Sequence, residues 1–449
     1  MRAGLPLIDG FKPDSAVGWA AGEPVGAARF CAAAIALAAE LPRRRYAINL
    51  CEDRLNFMLG FAAALIARQV SLLPYAKAPG VIREMCVARA DSYCISDGGD
   101  LPAGVPAIMV PPWRALVGAA EAPLIPADLE ALVAFTSGST GRPQAHSKTW
   151  GSLVLDAKSL IRDLGVDRSG AGTIVGTVPP QHVYGLETTI MLPFQNGLAV
   201  DSGMPLLPAD LTAALVRVRG SCWLATTPLH LRACVVEDAP LPHLAGIVCA
   251  TMPLPPELAQ DAERRWAVPV QEIYGCTEAG AIAVRRPAFS PDWRVRPGMT
   301  LQQRGPDAWV AGGHLPHPIK LPDRIELASD TDFTLLGRPS DMVKIAGKRI
   351  SLDALNSELQ RVPGVRDGVF FIPDDCPSGR PRLAALVVAP GTDASAIRRA
   401  LRDRIDAVFL PRPLLIVDAL PRGPMGKIPR EGLQALAATA RMRRQRRSA

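Results

Sequence analysis

From residue 46 to residue 250 the chain repeats one pattern: a short apolar run, a polar or Gly/Pro-rich loop, then more chain with helical character. The apolar runs lie at 46–50, 70–73, 132–135, 173–177, 222–225 and 247–250, and each reads as a strand. Residues 32–41 are Ala-rich and helical, and residues 55–68 are helical again. Short apolar strands alternating with helices imply an α/β fold, a layered sheet with helices on its faces. In open sheets of this kind ligands sit where the strands end. The most apolar early stretch, 57–66, is stopped by Arg68. It is well short of the ~20 residues that cross a bilayer, so it reads as a buried helix and no membrane span is expected.

The texture changes after Arg338. Residues 342–345, 369–372 and 383–388 read as strands, and Leu352, Leu355, Leu359 and Val362 form a helical stripe ending at Pro363-Gly364. Ile397, Leu401, Ile405 and Val408 mark a second amphipathic helix, capped by Asp393 or Ser395. The expectation is a large layered N-terminal domain over 1–338 and a small, mobile α+β C-terminal domain over 339–449, divided at Pro339-Ser340. A chain of 449 residues is too long for one core.

A net charge of +7 permits nucleotides, nucleic acid or acidic carrier proteins as partners without choosing among them. Part of the excess is Arg441, Arg443, Arg444, Arg446 and Arg447, which read as a solvated, frayed terminus rather than a nucleic-acid site. Nine cysteines, none in a C-x-x-C pair, argue against a disulfide framework or zinc knuckle and fit a reducing cytoplasm. The first residues lack a basic segment followed by an apolar one, so no signal peptide is expected.

Three segments carry chemistry. The run at 132–135 enters Thr136-Ser137-Gly138-Ser139-Thr140-Gly141-Arg142-Pro143, dense in glycine and hydroxyls. Glycines let backbone N–H groups turn toward a phosphate, and hydroxyls add donors. No Lys-Ser/Thr follows at the Walker spacing, and no G-x-G-x-x-G fingerprint is present. Tyr274-Gly275-Cys276-Thr277-Glu278 places an aromatic, a hydroxyl and an acid within five residues. These suit a base, a phosphate and Mg²⁺ respectively, Mg²⁺ preferring oxygen ligands. Lys427 follows Gly426 near the C-terminus, where a free backbone can place an ammonium.

In this order the segments resemble the adenylate-forming superfamily: acyl-CoA synthetases, aryl-acid ligases, peptide-synthetase adenylation domains and luciferases. The resemblance covers most of the chain. It implies that Thr136, Ser137, Gly138, Ser139, Thr140 and Gly141 bind the phosphates of ATP. Pro179-Pro180-Gln181-His182-Val183-Tyr184-Gly185 resembles the P-x-x-H-x-x-G segment whose His lines the acyl site. Cys249-Ala250-Thr251-Met252-Pro253-Leu254 resembles the S-G-G-A-P-L turn between acyl pocket and adenine. Tyr274 to Glu278 matches Y-G-x-T-E, with Glu278 on Mg²⁺. Asp323 falls at the ribose-binding acid, Arg338 on the G-R segment, Ser340 at the hinge, Gly347 on the thiol tunnel and Lys427 on the catalytic lysine. The acyl pocket would be walled by His182, Val183, Tyr184, Thr226, Thr227, Cys249 and Cys276.

Three departures stand out. Pro143-Gln144-Ala145 replaces the usual P-K-G, leaving Arg142 or Lys148 to supply charge. Pro322 precedes Asp323 in place of glycine, and Ala346 precedes Gly347 in place of glycine. Asn49-Leu50-Cys51-Glu52-Asp53-Arg54, Gly141-Arg142-Pro143-Gln144-Ala145-His146 and Phe409-Leu410-Pro411-Arg412-Pro413 look like the AMP-ligases of bacterial aryl polyene and xanthomonadin pigment pathways. In that group Gln after Pro is usual.

The resemblance implies ATP-dependent conversion of an aromatic carboxylic acid, 3- or 4-hydroxybenzoate, to an acyl-AMP. The acyl group then passes to the thiol of an acyl carrier protein as the small domain rotates about Ser340. A CoA ligase differs only in the final thiol. An inactive nucleotide-binding subunit is a further alternative, disfavoured by retained Glu278, Asp323, Arg338 and Lys427.

Overall fold

The computed structural model describes residues 4–20, 22–74, 77–98, 101, 103–136, 144–166, 172–218, 220–305, 307–337, 342–345, 348–373, 382–423 and 426–448. Two compact units emerge. The first comprises residues 1–304, 309–320 and 328–333; the second comprises 305–308, 321–327 and 334–449.

The first unit holds two large sheets. One runs, in spatial order, Gln144–Thr149, Glu130–Thr136, Val70–Leu73, Tyr46–Asn49, Ser92–Ser96 and Ala107–Met109. Its inner strands are parallel, and the first two form an antiparallel pair with Gln144 opposite Thr136. The other runs Trp293–Val295, Gly280–Arg285, Val270–Cys276, Leu244–Cys249, Cys222–Thr226, Thr173–Gly176, Ala199–Val200, Ala16–Ala20 and Glu23–Gly26. Its centre is parallel from Val270–Cys276 to Thr173–Gly176. Parallel strands are buried on both faces, which explains why their sequences read as continuous apolar runs. The apolar stretch near residue 60 is the helix Arg54–Ile66, buried almost throughout. Asp53 caps it by accepting from the Asn56 N–H. Among the described residues no helix is long and apolar enough to cross a membrane.

In the second unit Asp367–Phe371, Ala384–Val388 and Leu414–Ile416 form a three-stranded sheet. The helices Leu352–Gln360 and Ala394–Arg402 bury Leu355, Leu359, Ile397 and Leu401 in the same core as Phe370, Ala385 and Val387. Asp393 is the cap of the second helix, accepting from the N–H groups of Ser395 and Ala396. The expected frayed tail is instead part of a helix, Arg430–Ser448. Leu433 and Ala437, with Leu436 and Ala440 beside them, form a stripe at helical spacing that packs against Phe371, Leu386 and Leu415. The division expected at Pro339-Ser340 lies outside the described residues.

A buried cation ties the helix Trp150–Asp163 to the strand Gly280–Arg285. Arg296 is 1% exposed. It donates to the carboxylates of Asp156 and Asp163 (2.7 Å to the latter), the Ala281 carbonyl (2.9 Å) and the Asp156 carbonyl (2.9 Å). Removing one partner of such a group strands the others in the interior. Arg296→Met is expected to destabilise folding by about 3–5 kcal/mol in urea unfolding. A loss under 1 kcal/mol would mean that the carboxylates find water or protonate at little cost.

Candidate active site

The carboxyl ends of the parallel strands in the second sheet gather most residues singled out from the sequence. Thr177 follows Thr173–Gly176, Thr226 ends Cys222–Thr226, Cys249 ends Leu244–Cys249 and Cys276 ends Val270–Cys276. His182 leads into the short helix Val183–Leu186. A Cβ on Gly185 would lie 2.1 Å from the Pro179 carbonyl oxygen, so the turn that brings this segment to the sheet requires glycine. The Tyr184 hydroxyl faces two backbone carbonyls, Thr226 at 3.0 Å and Val248 at 2.8 Å, and its single proton is shared between them. Tyr184, expected in the wall of the acyl pocket, therefore presents a hydroxyl whose proton is committed to the sheet. Burial pushes its pKa well above the usual phenol value. His182 and Val183 are half-buried; Thr226, Thr227 and Cys249 are fully buried.

The threonines make a cluster that the sequence did not announce. The Thr177 and Thr226 hydroxyls lie 2.9 Å apart. Thr177 and Thr227 approach His230 Nδ1 at 3.3 and 3.0 Å.

The Tyr274–Glu278 segment turns from Val270–Cys276 into Gly280–Arg285. A Cβ on Gly275 would sit 2.3 Å from the Gly280 carbonyl oxygen, which is why the motif holds glycine there. Tyr274 is buried, 5.6 Å from the Trp293 ring and edge-on to Phe333 at 5.8 Å. Thr277 and Glu278 are half-buried. Burial, reinforced by the charge of Glu278, pushes the Cys276 thiol up to about 12, so it is no nucleophile near neutrality. Glu278 Oε1 lies 3.5 Å from His146 Nε2, which is itself 3.4 Å from Thr136 Oγ1. Lys148 Nζ donates to the Glu278 backbone carbonyl at 3.4 Å. His146 and Lys148 alternate with their neighbours along one strand, so both face the turn. Ser137, Gly138, Ser139, Thr140 and Gly141 join the two arms of this hairpin and lie outside the described residues.

The adjoining turn is strained. Thr251 has φ +84°, the left-handed region, in the position where the resembling S-G-G-A-P-L turn has glycine. The turn is anchored next door, where the Leu254 N–H donates to Glu272 Oε1 at 2.8 Å. Glu272 is buried and pairs with Arg285 at 2.7 Å. Burial lifts its pKa to about 7 against the pull of that guanidinium.

Asp323 and Lys427 belong to the second unit. Asp323 is half-buried in the loop before Arg324–Leu327. The Lys427 loop is pinned by Arg422, whose guanidinium makes a two-pronged pair with Asp367 at 2.6 and 2.7 Å. Arg422 also donates to the Gly426 carbonyl at 2.5 Å, and the Gly423 N–H donates to the Lys427 carbonyl at 2.8 Å. Fork-to-fork pairing fixes direction as well as distance. Arg338, Ser340 and Gly347 lie outside the described residues.

Residues 25–304 match the family of AMP-binding enzymes. The chain belongs to that family. The 4-coumarate–CoA ligase of Rhodobacter capsulatus is 28% identical over 272 residues, 61% of this chain and 67% of that protein. The probable 2-succinylbenzoate–CoA ligase of Mycobacterium tuberculosis is 26% identical over 329 residues, 68% of this chain and 83% of that one. Among solved structures, the o-succinylbenzoate CoA synthetase of Bacillus subtilis with its acyl-adenylate intermediate aligns with a TM-score of 0.79 at 19% identity, over 94% of this chain and 96% of that chain. The α/β fold with a large N-terminal and a smaller C-terminal domain is the fold of these adenylate-forming enzymes. This AMP-binding enzyme is an AMP-forming acid–thiol ligase that uses ATP, with Mg²⁺ as the usual partner ion.

One acid beneath the turn has no counterpart among the expected site residues. Glu187 is buried, and desolvation, then the charge of Asp156, lift its pKa to about 8 against the pull of Lys148 and Arg296. The folded protein therefore holds a proton that the unfolded chain releases between about pH 4.5 and 8, and stability falls as pH rises through that window. Glu187→Gln removes this penalty. Its melting temperature relative to the parent is expected to rise steadily from about pH 5 to about pH 8.5. A constant difference across that range would mean that Glu187 titrates as an ordinary carboxylate.

Proposed function

We propose that the protein converts an aromatic carboxylic acid, 3- or 4-hydroxybenzoate, to its acyl-adenylate and passes the acyl group to the phosphopantetheine thiol of an acyl carrier protein. The observation that carries the acid is the wall at the strand ends. Half-buried His182 and Val183 stand beside the Tyr184 ring, which its bonds to two strand carbonyls hold in one orientation. Ligases for 4-coumarate and 2-succinylbenzoate among the relatives support an aryl substrate. The carrier-protein acceptor rests on the resemblance to the aryl polyene and xanthomonadin AMP-ligases and on a net charge of +7, which favours an acidic partner. Free CoA is the second reading, favoured by the CoA ligases among the relatives.

The chemistry joins two anions, because the carboxylate oxygen must attack the α-phosphorus of ATP. The site has to supply positive charge and exclude water. Lys427 is assigned to bridge the substrate carboxylate and the α-phosphate, and Asp323 to accept the ribose hydroxyls. Thr136–Gly141, Thr277 and Arg338 are assigned to the phosphates, with Ala250, Thr251 and Tyr274 beside the adenine. Among the described residues no group of three or more His, Cys, Asp or Glu side chains suits a metal. Glu278 alone would hold Mg²⁺ together with the phosphates of ATP, the few-ligand manner usual for this ion. When bound it would neutralise charge on the β- and γ-phosphates. Lys148, seated under Glu278, adds fixed charge where Gln144 replaces the customary lysine. Thiol attack on the adenylate carbonyl then releases AMP, with Ser340 as the hinge and Gly347 in the thiol channel.

Two measurements test this. Lys427→Ala is expected to lower adenylate formation by ~10²–10³ while transfer from supplied acyl-AMP survives. Equal loss in both half-reactions would remove Lys427 from the first step. Pyrophosphate release with salicylate, 3- and 4-hydroxybenzoate, benzoate and hexanoate, using CoA or carrier protein as acceptor, tests the substrate. Val183 offers no partner to an ortho hydroxyl, so salicylate should fall roughly ten- to a hundredfold below the better hydroxybenzoate. Salicylate or hexanoate as the best acid would overturn the pocket assignment, and equal turnover with free CoA would overturn the carrier preference.

A further inference from the structure

Tyr184 leaves a question of recognition. Its proton is shared between two backbone carbonyls, so it does not donate to a hydroxyl at the far end of an aryl acid. Thr226 and Thr227 are fully buried and are engaged with Thr177 and His230. A further donor at this edge is His230, which follows Thr227 in the helix Pro228–Val236. Burial lowers the pKa of the ring, which keeps it neutral at physiological pH. Two threonine hydroxyls converge on Nδ1, at 3.0 and 3.3 Å. The Thr227 oxygen also accepts from the His230 backbone N–H at 3.4 Å, and its own proton is available to Nδ1. A neutral imidazole that accepts at Nδ1 carries its proton on Nε2. No described residue accepts from that Nε2–H. The ring is half-buried and spans the ends of the neighbouring strands Thr173–Gly176 and Cys222–Thr226, the same edge that holds Tyr184.

We propose that His230 is the specificity residue for the distal end of the acid, its Nε2–H donating to the oxygen of a ring hydroxyl while Thr177 and Thr227 fix the tautomer. The proposal rests on the aryl-acid reading above. A ring without that oxygen leaves the donor unmet, and hydroxylated rings are preferred for that reason. The threonine cluster is then a positioning device that has no contact with substrate.

The test uses two side chains that each copy one half of imidazole. Gln places an amide N–H near the Nε2 position; Asn places its amide near Nδ1 and reaches no further. The readout is the ratio of kcat/KM for the preferred hydroxybenzoate to that for benzoate, by pyrophosphate release with the full chain. His230→Asn should lower the ratio about tenfold or more, and His230→Gln should restore much of it. Circular dichroism and melting temperature report folding separately, and the ratio cancels a general loss of active enzyme. A ratio unchanged in His230→Asn would overturn the proposal and leave His230 as a helix-start residue. A parent enzyme that activates no aryl acid would overturn this proposal and the aryl-acid reading together. A parent that prefers hydroxybenzoate, with variants that keep the preference, would overturn this proposal alone.

Discussion

Arg296 is the interaction around which the catalytic side of the first unit is arranged. Three guanidinium nitrogens, essentially without solvent, hold Asp156 and Asp163 of one helix and a carbonyl of the strand that leaves the Tyr274–Glu278 turn. Asp156 in turn faces His314 at 3.3 Å, and His314 Nε2 lies 2.6 Å from the Ala279 carbonyl, one residue past Glu278. Burial lowers the His314 pKa although Asp156 pulls the other way. A buried ion pair is weak evidence for net stability, since desolvation offsets most of the attraction. Its value here is directional. Each partner has a fixed angle, so a helix, a strand and a loop have one relative arrangement, and the turn carrying Glu278 inherits it.

Charge near that turn is distributed differently from what the family pattern leads one to expect. The lysine expected at the close of the phosphate loop is Gln144, yet the same strand offers His146 and Lys148 two and four residues on. Strand alternation puts both on the face toward Glu278. Lys148 is buried beside Glu187, which holds a proton near neutrality and leaves the ammonium charge directed at the turn. A cation that is seated in protein and hydrogen-bonded to backbone cannot reorganise as a solvated lysine does. Preorganised charge of this kind is the form in which electrostatics lowers a barrier between two anions.

The strands were legible because parallel strands buried on both faces have few polar residues to confuse the pattern. Val70–Leu73, parallel to both of its neighbours, begins and ends where its apolar run does. The Tyr274–Glu278 and His182–Gly185 segments were legible because close backbone approach requires glycine at one position, and that leaves a spaced motif. Arg296, His314, Glu187 and His230 were not legible. Each acts through a partner distant in the chain, Arg296 and Asp156 being 140 residues apart. No local spacing records such a contact. The C-terminal helix was misread because five arginines mask the stripe of Leu433, Leu436, Ala437 and Ala440 that precedes them. Arg422, whose fork on Asp367 aims the Lys427 loop, looked like one more basic residue beside a glycine.

Thr251 brings the two kinds of information together. From the resemblance alone, a threonine where the turn has glycine is a tolerated substitution. The backbone says otherwise: φ stays at +84° although the residue is β-branched, a conformation that costs on the order of 1–3 kcal/mol. A residue adopts it when its surroundings leave no other route. Those surroundings are visible in the strand Leu244–Cys249 entering the turn and in buried Glu272, which holds the Leu254 N–H while Arg285 holds Glu272. With both ends of the turn fixed to the sheet, relaxing Thr251 would require breaking a charge-assisted hydrogen bond in the interior. That costs at least as much as the strain it would relieve, on the order of 1–3 kcal/mol. The turn's shape is thus imposed by the sheet and its buried acid rather than by the residue that occupies it.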